Sequence, residues 1–557
     1  MNKFCGYFLA FLLMIEVARP IPSHTQSPKT QVEKFGNVAG ITAAQLKDYL
    51  SFVASDEMAG RDTPSLGLRL TARFLAAQLS RCGLQPAGEN ATFFQNIALQ
   101  HMRINPESTV AQIGNQRFKY GEDFLAQNTP GTISAALVYV NQCWTLQSKN
   151  IFPDDSIQVK DKIIVTHGGY PPGVGFFELY GKLAGIDYKT PADYAQRRGV
   201  KGIIFVPSFH SLSTWPQTRR HAISNGETTV KKFQPSANVA LPTITASLHM
   251  LSGIFRGEVE SAAAIFRRGI AEDEEPIPSF ALNPDRKMNI TVSVNTNSEN
   301  TQNVVALWEG NDRKLKHEYV ALGAHYDHVG IGASVGGDSI YNGADDDGSG
   351  TVALLAMAEA LTQSPRPKRS LLFVWHTGEE QGLWGSKYFV EHPLLPLERI
   401  VAQLNLDMIG RSRRSGDTNP ANDQLSGPDE VYVIGAKTMS TALGELVERV
   451  NRAFLQLTLN YKYDDPNDPN RFFFRSDHYH YARKGIPIVF YFNGVHEDYH
   501  RPSDHVEKID FQKMEKVTRT IFATAWELAN ARKRPAVDKK LPPHLQRDET
   551  ITFNGYQ

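Results

Sequence analysis

The chain has 557 residues, too many for one compact domain, and its 41% apolar and 21% charged residues are ordinary for a globular protein. Its 59 basic and 59 acidic residues leave a net charge of zero, which speaks against nucleic acid or an anionic membrane surface as partner. Of the three cysteines, Cys5, Cys82 and Cys143, no pair has zinc-ribbon or redox-motif spacing, so Cys82 and Cys143 either pair or remain thiols.

Lys3 and the apolar run CGYFLAFLLMI have the form of a signal peptide, residues 1–18, with cleavage near Ala18. The expected location is therefore secreted or periplasmic, with no membrane span beyond that segment. Residues 19–40 read as a flexible lead. The spacing of Leu46, Tyr49, Leu50 and Val53 predicts a helix over 42–55, and a second is expected from Leu68 to Cys82, ended by Gly83. FFQNIAL (93–99) reads as a strand.

From 130 to 270 the texture changes to short Val- and Ile-rich strands (135–140, 161–169, 202–208) around a helix over 191–199, a small β-rich α+β unit. His167 and His210 are isolated there. AEDEEPIPS (271–279) reads as a linker. Beyond it strands and helices alternate. Strands are expected at 288–295, 303–310, 317–325, 369–376, 399–407, 430–435 and 487–494. Helices are expected at 348–363, 384–392, after 435 through Phe454, at 476–484 and at 510–532. That alternation predicts an α/β fold, a mixed, mostly parallel sheet flanked by helices on both faces. The domain reading is 40–125, an inserted unit at 130–270, a main unit at 285–535 and a polar tail at 536–557.

In open α/β sheets functional residues sit just past the carboxyl ends of the strands. His325, the pair Glu379 and Glu380, and Asp407 each close an apolar strand, and His500 lies a few residues past another. A two-metal hydrolase needs a bridging carboxylate, further ligands for each ion and a base for the attacking water. Thiols are scarce, so imidazole and carboxylate must serve. Adjacent carboxylates on a tight turn point in different directions, so one of Glu379 and Glu380 can ligate while the other faces water. Asp327, two residues after His325, is placed to accept the free imidazole N–H. Asp345, Asp346 and Asp347 precede a helix and could also form only an N-terminal cap.

GAHYDHVG, NGADDDGSG, HTGEEQGLWGS, NLDMIG and YHRPSD, in this order, resemble the co-catalytic zinc aminopeptidases of metallopeptidase family twenty-eight over roughly residues 300–530. The N-terminal helices with AGRDTPS resemble the first part of that domain, and 130–270 resembles the protease-associated domain often inserted in it. The resemblance implies two zinc ions, with His325 and Asp407 on one, Glu380 and His500 on the other, and Asp346 bridging. The neighbouring Asp345 and Asp347 compete for the bridge. It further implies Glu379 as general base, Asp327 orienting His325, and Tyr499 as a possible oxyanion donor.

His478, His480 and His496 are read as solvated or supporting. The implied activity is a secreted exopeptidase acting on peptides or dipeptides, first an aminopeptidase. The alternatives are a carboxypeptidase or dipeptidase using Arg411, Arg413 or Arg414, which otherwise form a solvated basic loop, and a non-catalytic binding protein of the transferrin-receptor type. A one-zinc cyclase of N-terminal glutamine shares the scaffold and is disfavoured by the inserted unit.

Overall fold

Four strands of almost wholly buried side chains run parallel at the centre of one large sheet, in the spatial order Ile488–Phe492, Ile400–Leu406, Tyr319–His325 and Ser370–His376. Strands covered on both faces have no solvent side, which is why their sequences are continuous apolar runs. The structure, a computed structural model, describes residues 33–175, 179, 188–233, 241–268 and 277–541. The expected signal peptide, residues 19–32 of the lead, 271–276 of the linker and 542–557 of the tail lie outside the described residues.

Past Ser370–His376 the sheet continues antiparallel through Val294–Trp308 and Phe94–Ile104 to Glu227–Val230. Past Ile488–Phe492 come Glu430–Ile434, antiparallel to it, and then Thr458–Asn460. One face is covered by the helices Ala43–Val53, Gly350–Thr362, Thr441–Ala453 and Phe511–Asn530, whose Leu50, Leu355, Val447 and Ile521 share a core with Leu322 and Phe373. The other face is covered by Trp384–Glu391 and His478–Arg483, with Phe389 and Tyr481 in one core with Ala321 and Leu372. The chain thus adopts the mixed α/β fold, parallel at its centre and largely antiparallel toward its margins.

Two local expectations are corrected. The helix expected to run unbroken to Phe454 is two, Ala436–Met439 and Thr441–Ala453. Ser440 between them is extended (φ −146°), and its hydroxyl accepts the Leu443 N–H, so it begins a new helix rather than continuing the old one. The strands expected at 288–295 and 303–310 divide differently, as Lys287–Val292 and one long strand Val294–Trp308. The polar stretch of that long strand stays extended because Phe94–Ile104 pairs with it continuously, from Val294 opposite Ile104 to Val304 opposite Phe94.

A second sheet runs in the order Gln116–Lys119, Val110–Ile113, Lys287–Val292, Gly131–Tyr139, Ile163–His167, Gly202–Val206, Thr243–Ala246 and Phe124–Ala126. It reaches beyond 130–270 on both sides. Conversely, Glu227–Val230 lies between 130 and 270 but joins the large sheet, where Val230 packs on Leu99 and Tyr388. The helix Pro191–Arg198 covers one face of the second sheet through Tyr194 and Ala195. Cys82 and Cys143 are free thiols, the latter buried beside that helix.

Candidate metal centre

The carboxyl ends of the four parallel strands face one another across a short gap, and each delivers a candidate ligand there. His325 closes its own strand. Its Nε2 lies 3.3 Å from Asp346 Oδ1, 3.7 Å from Asp407 Oδ1 and 3.8 Å from Glu379 Oε2. Asp407 is the first residue past Ile400–Leu406. Glu379 and Glu380 follow Ser370–His376 after a turn at Gly378 (φ +66°). His500, past Ile488–Phe492, places Nε2 3.1 Å from Asp346 Oδ2 and 3.0 Å from Glu380 Oε2.

Asp346 stands between the two groups, one oxygen toward His325 and the other toward His500. Its neighbours face elsewhere. Asp345 accepts the Gly410 N–H (2.6 Å) and approaches His496 Nε2 (3.2 Å). Asp347 accepts the N–H groups of His325 (3.2 Å), Gly350 (2.9 Å) and Met408 (3.2 Å), although it also lies close to His325 and Asp407. The three carboxylates separate because the segment before the helix Gly350–Thr362 is not helical at Asp346 and Asp347. Asp504 steadies it by accepting the N–H groups of Asp345 (2.9 Å) and Asp346 (3.2 Å). Gly343 begins the turn at φ +59°, and a Cβ there would come within 2.3 Å of the Asp346 carbonyl oxygen.

Asp327 holds this loop in a different way from the one its spacing suggested. His325 Nδ1 lies 3.1 Å from the Asp327 backbone carbonyl and 3.8 Å from its carboxylate. The carboxylate instead accepts the N–H groups of Glu379 (3.1 Å) and Glu380 (3.4 Å), tying the second carboxylate pair to the first loop. Tyr499 stacks on His500, ring centroids 4.0 Å apart, and its hydroxyl accepts a hydrogen bond from Arg475 (3.3 Å). A pocket opens beside Asp346, Glu379 and Asp407, walled by Phe472, Phe490, Phe492 and Val495, with Arg475 and Tyr499 at its side.

The electrostatics follow from packing carboxylates and imidazoles together out of water. Burial, reinforced by Glu380 and Asp407, holds Glu379 well above the ordinary carboxylate value. Burial and Asp346 also push Glu380 upward, but His500 and His328 outweigh them and bring it to about 2. Burial would depress His325, yet Glu379, Asp407 and Asp346 raise it well above its usual value. Several buried atoms have no hydrogen-bond partner among the described residues: His325 Nε2, Asp346 Oδ2, Glu380 Oε1 and Asp407 Oδ1. Orphaned acceptors are costly in a dry interior, and a cation shared among them removes that cost. The donor set, imidazole nitrogen and carboxylate oxygen without thiolate, suits zinc.

Other expectations are corrected. His478 and His480 are buried, not solvated; His478 Nε2 lies 2.9 Å from the Phe473 carbonyl and its ring stacks on Phe490. His496 is buried against Asp345. Arg411 is also buried, paired with Asp498 (2.8 Å) and Asp504 (3.6 Å), because the loop folds inward beneath the Asp345–Asp347 turn. Arg413 pairs with Asp423 (2.8 Å) and Arg414 is exposed.

The sequence reading missed His328 and Arg61. His328 lies three residues after His325, and its Nδ1 is 2.8 Å from Glu380 Oε1. Arg61 is fully buried and donates to the carbonyls of Tyr326, Val53, Asn342 and Gly343 at 2.7–3.1 Å. A histidine so close to His325 was available as a signal. A buried arginine that bonds only backbone carbonyls leaves none.

Comparison with known proteins follows the same residues. The profile of peptidase family M28 matches residues 303–525. Leucine aminopeptidase 2 of Trichophyton equinum is 29% identical over 215 residues, 38% of this chain and 37% of that protein. Aminopeptidase YwaD of Bacillus subtilis is 26% identical over 268 residues, 47% of this chain and 51% of its own length. The matches thus span between a third and about half of those relatives. Among solved structures, an aminopeptidase from Aneurinibacillus sp. strain AM-1 covers 92% of this chain and 98% of its own, at 16% identity and a TM-score of 0.48.

Proposed function

Because the chain belongs to peptidase family M28 through residues 303–525, we propose that it is an exported metal-dependent exopeptidase, first of all an aminopeptidase that releases the N-terminal residue of a peptide. The observation that carries this reading is the convergence of His325, Asp346, Glu380, Asp407 and His500 from separate strand ends, with Glu379 at the mouth of an apolar pocket. His325 and Asp407 would hold one zinc ion, Glu380 and His500 the other, with Asp346 reaching both. Bound there, the ions would polarise a water molecule and the scissile carbonyl.

The chain's own groups do the rest. Glu379 faces the pocket with its carboxylate held above the ordinary range by burial, which suits a group that takes a proton from water and passes it to the departing amine. Asp327 fixes Glu379 and Glu380 through their backbone N–H groups, so the base cannot swing out of line. Tyr499, stacked beside His500 at the pocket wall, is placed to donate to a developing oxyanion. The apolar wall of Phe472, Phe490 and Phe492 would receive the terminal side chain. The unit around the second sheet is read as an inserted, protease-associated-like domain, supported by its entry and exit through the paired strands Phe94–Ile104 and Val294–Trp308. Export rests on the apolar N-terminal stretch, and no helix among the described residues is long and apolar enough to cross a membrane.

A second reading, a carboxypeptidase or dipeptidase, has one observation in its favour. Arg475 borders the pocket, where a guanidinium can pair with a terminal carboxylate. Hydrolysis of aminoacyl-nitroanilides, abolished by a chelator and restored by zinc, is the expected result. Activity only on N-blocked dipeptides would move the assignment to the second reading, and turnover that survives metal removal would end both.

A further inference from the structure

Resting on the dinuclear reading above, we propose that His328 is an additional metal-binding residue, on the side of the centre held by Glu380 and His500. Its ring is fully buried, with Nδ1 2.8 Å from Glu380 Oε1 and 3.7 Å from Asp346 Oδ2. Neither ring nitrogen has an aligned hydrogen-bond partner, although Nδ1 is within hydrogen-bond distance of the glutamate. A nitrogen and two carboxylate oxygens gathered without hydrogen-bond alignment are arranged as ligands of a common cation are. The buried His478 shows the contrast: it packs among aromatic rings, with Nε2 at hydrogen-bond distance from a backbone carbonyl.

The backbone holds the His328 ring in this place. Its N–H donates to the Arg61 carbonyl (3.2 Å). The Arg61 guanidinium then bonds Tyr326 on one side of the loop and Asn342 and Gly343 on the other. A Cβ at position 343 would come within 2.4 Å of the His328 ring, so only glycine leaves the imidazole its space. The ring meets His500 edge-on, with centroids 5.7 Å apart.

The consequence is asymmetry. The Glu380 side would have four protein donors, namely Asp346, Glu380, His500 and His328. The His325 side would have three, Asp346, Asp407 and His325. Four protein ligands characterise a closed zinc site, and three leave a position for water or substrate. The ion beside His328 is then the one retained more tightly, and the ion beside His325 the one that exchanges.

The test is titration of the metal-free full-length protein with Co2+, following visible absorption and competition with a chelating dye. Wild type should take up two equivalents of unequal affinity. His328→Ala should weaken the tighter equivalent by at least about tenfold and alter its absorption, leaving the weaker one unchanged. Should His328→Ala lose native circular dichroism, His328→Gln, which keeps most of the bulk, carries the test with the same expectation. A native-like variant that binds both equivalents with wild-type affinity and spectrum overturns the role of His328 alone. A wild-type protein that binds no Co2+ overturns the dinuclear reading together with it.

Discussion

Each sheet has a central strand that ends in histidine, and the two histidines have opposite fates. Ile163–His167 in the second sheet and Tyr319–His325 in the first are both buried, apolar and flanked by parallel neighbours. His167 meets the Tyr139 hydroxyl at 3.1 Å, and burial, helped by Arg268, lowers it to about 4, so it is neutral. His325 meets Asp346, Asp407 and Glu379, which raise it despite equal burial. A strand-end histidine becomes a site only when the adjacent strands end in carboxylates. In the second sheet they do not.

The sharpest way to break this comparison is to remove each histidine in turn. His325→Ala should abolish turnover and lose bound metal, by more than the roughly 10–100-fold weakening that loss of an outer partner costs. His167→Gln should keep both, as measured by metal analysis and a peptidase assay. Zinc retained at full stoichiometry in His325→Ala would contradict its ligand role.

Next in size is Glu379→Gln, expected to lower kcat by about 10²–10⁴-fold while metal content stays at the wild-type level. Wild-type kcat in that variant would remove Glu379 as the base. Asp327→Asn should be milder, because the amide offers one oxygen where the carboxylate offers two to the N–H groups of Glu379 and Glu380. Metal affinity should fall by roughly 10–100-fold, read by competition with a chelator.

The smallest effect concerns pH. Burial lowers His167 to about 4 and both His376 and His478 to about 3, from an ordinary 6.5. Below pH 6.5 the unfolded chain takes up protons on these rings while the folded chain does not. The unfolded state therefore binds more protons, and stability falls as pH falls toward 4. Thermal unfolding of the metal-free protein should show this loss. The stability gap between wild type and His167→Gln should narrow as pH falls from 7 to 4, and a gap independent of pH would show that His167 does not stay neutral in the folded state.

Much of the fold could be read in the chain. Residues 319–325, 370–376 and 400–406 are recognisable as central strands because burial on both faces demands uninterrupted apolar side chains. The break at Ser440 was not recognisable, since the residues around it keep helical spacing and only a local cap decides the matter. The polar stretch of Val294–Trp308 carries no strand pattern of its own; a distant partner keeps it extended. Within the candidate site, spacing pointed to Asp327 as the acceptor for the His325 imidazole, whereas the backbone carbonyl is nearer. The basic loop at 411–414 looked solvated, yet Arg411 is drawn inward by Asp498 and Asp504, which lie 87 or more residues further along the chain.

What the amino-acid order determined by itself was the kind of chemistry and the strand ends that could bear it: imidazoles and carboxylates just past apolar runs, in a chain with almost no thiol. What only the tertiary structure decided was which of them face one another. Asp345, Asp346 and Asp347 are the same residue type in succession, and a turn that departs from the helix sends one between His325 and His500 while the other two bind backbone N–H groups. Side-chain direction at such a turn depends on contacts with Asp504, Gly410 and Met408, which no local pattern encodes.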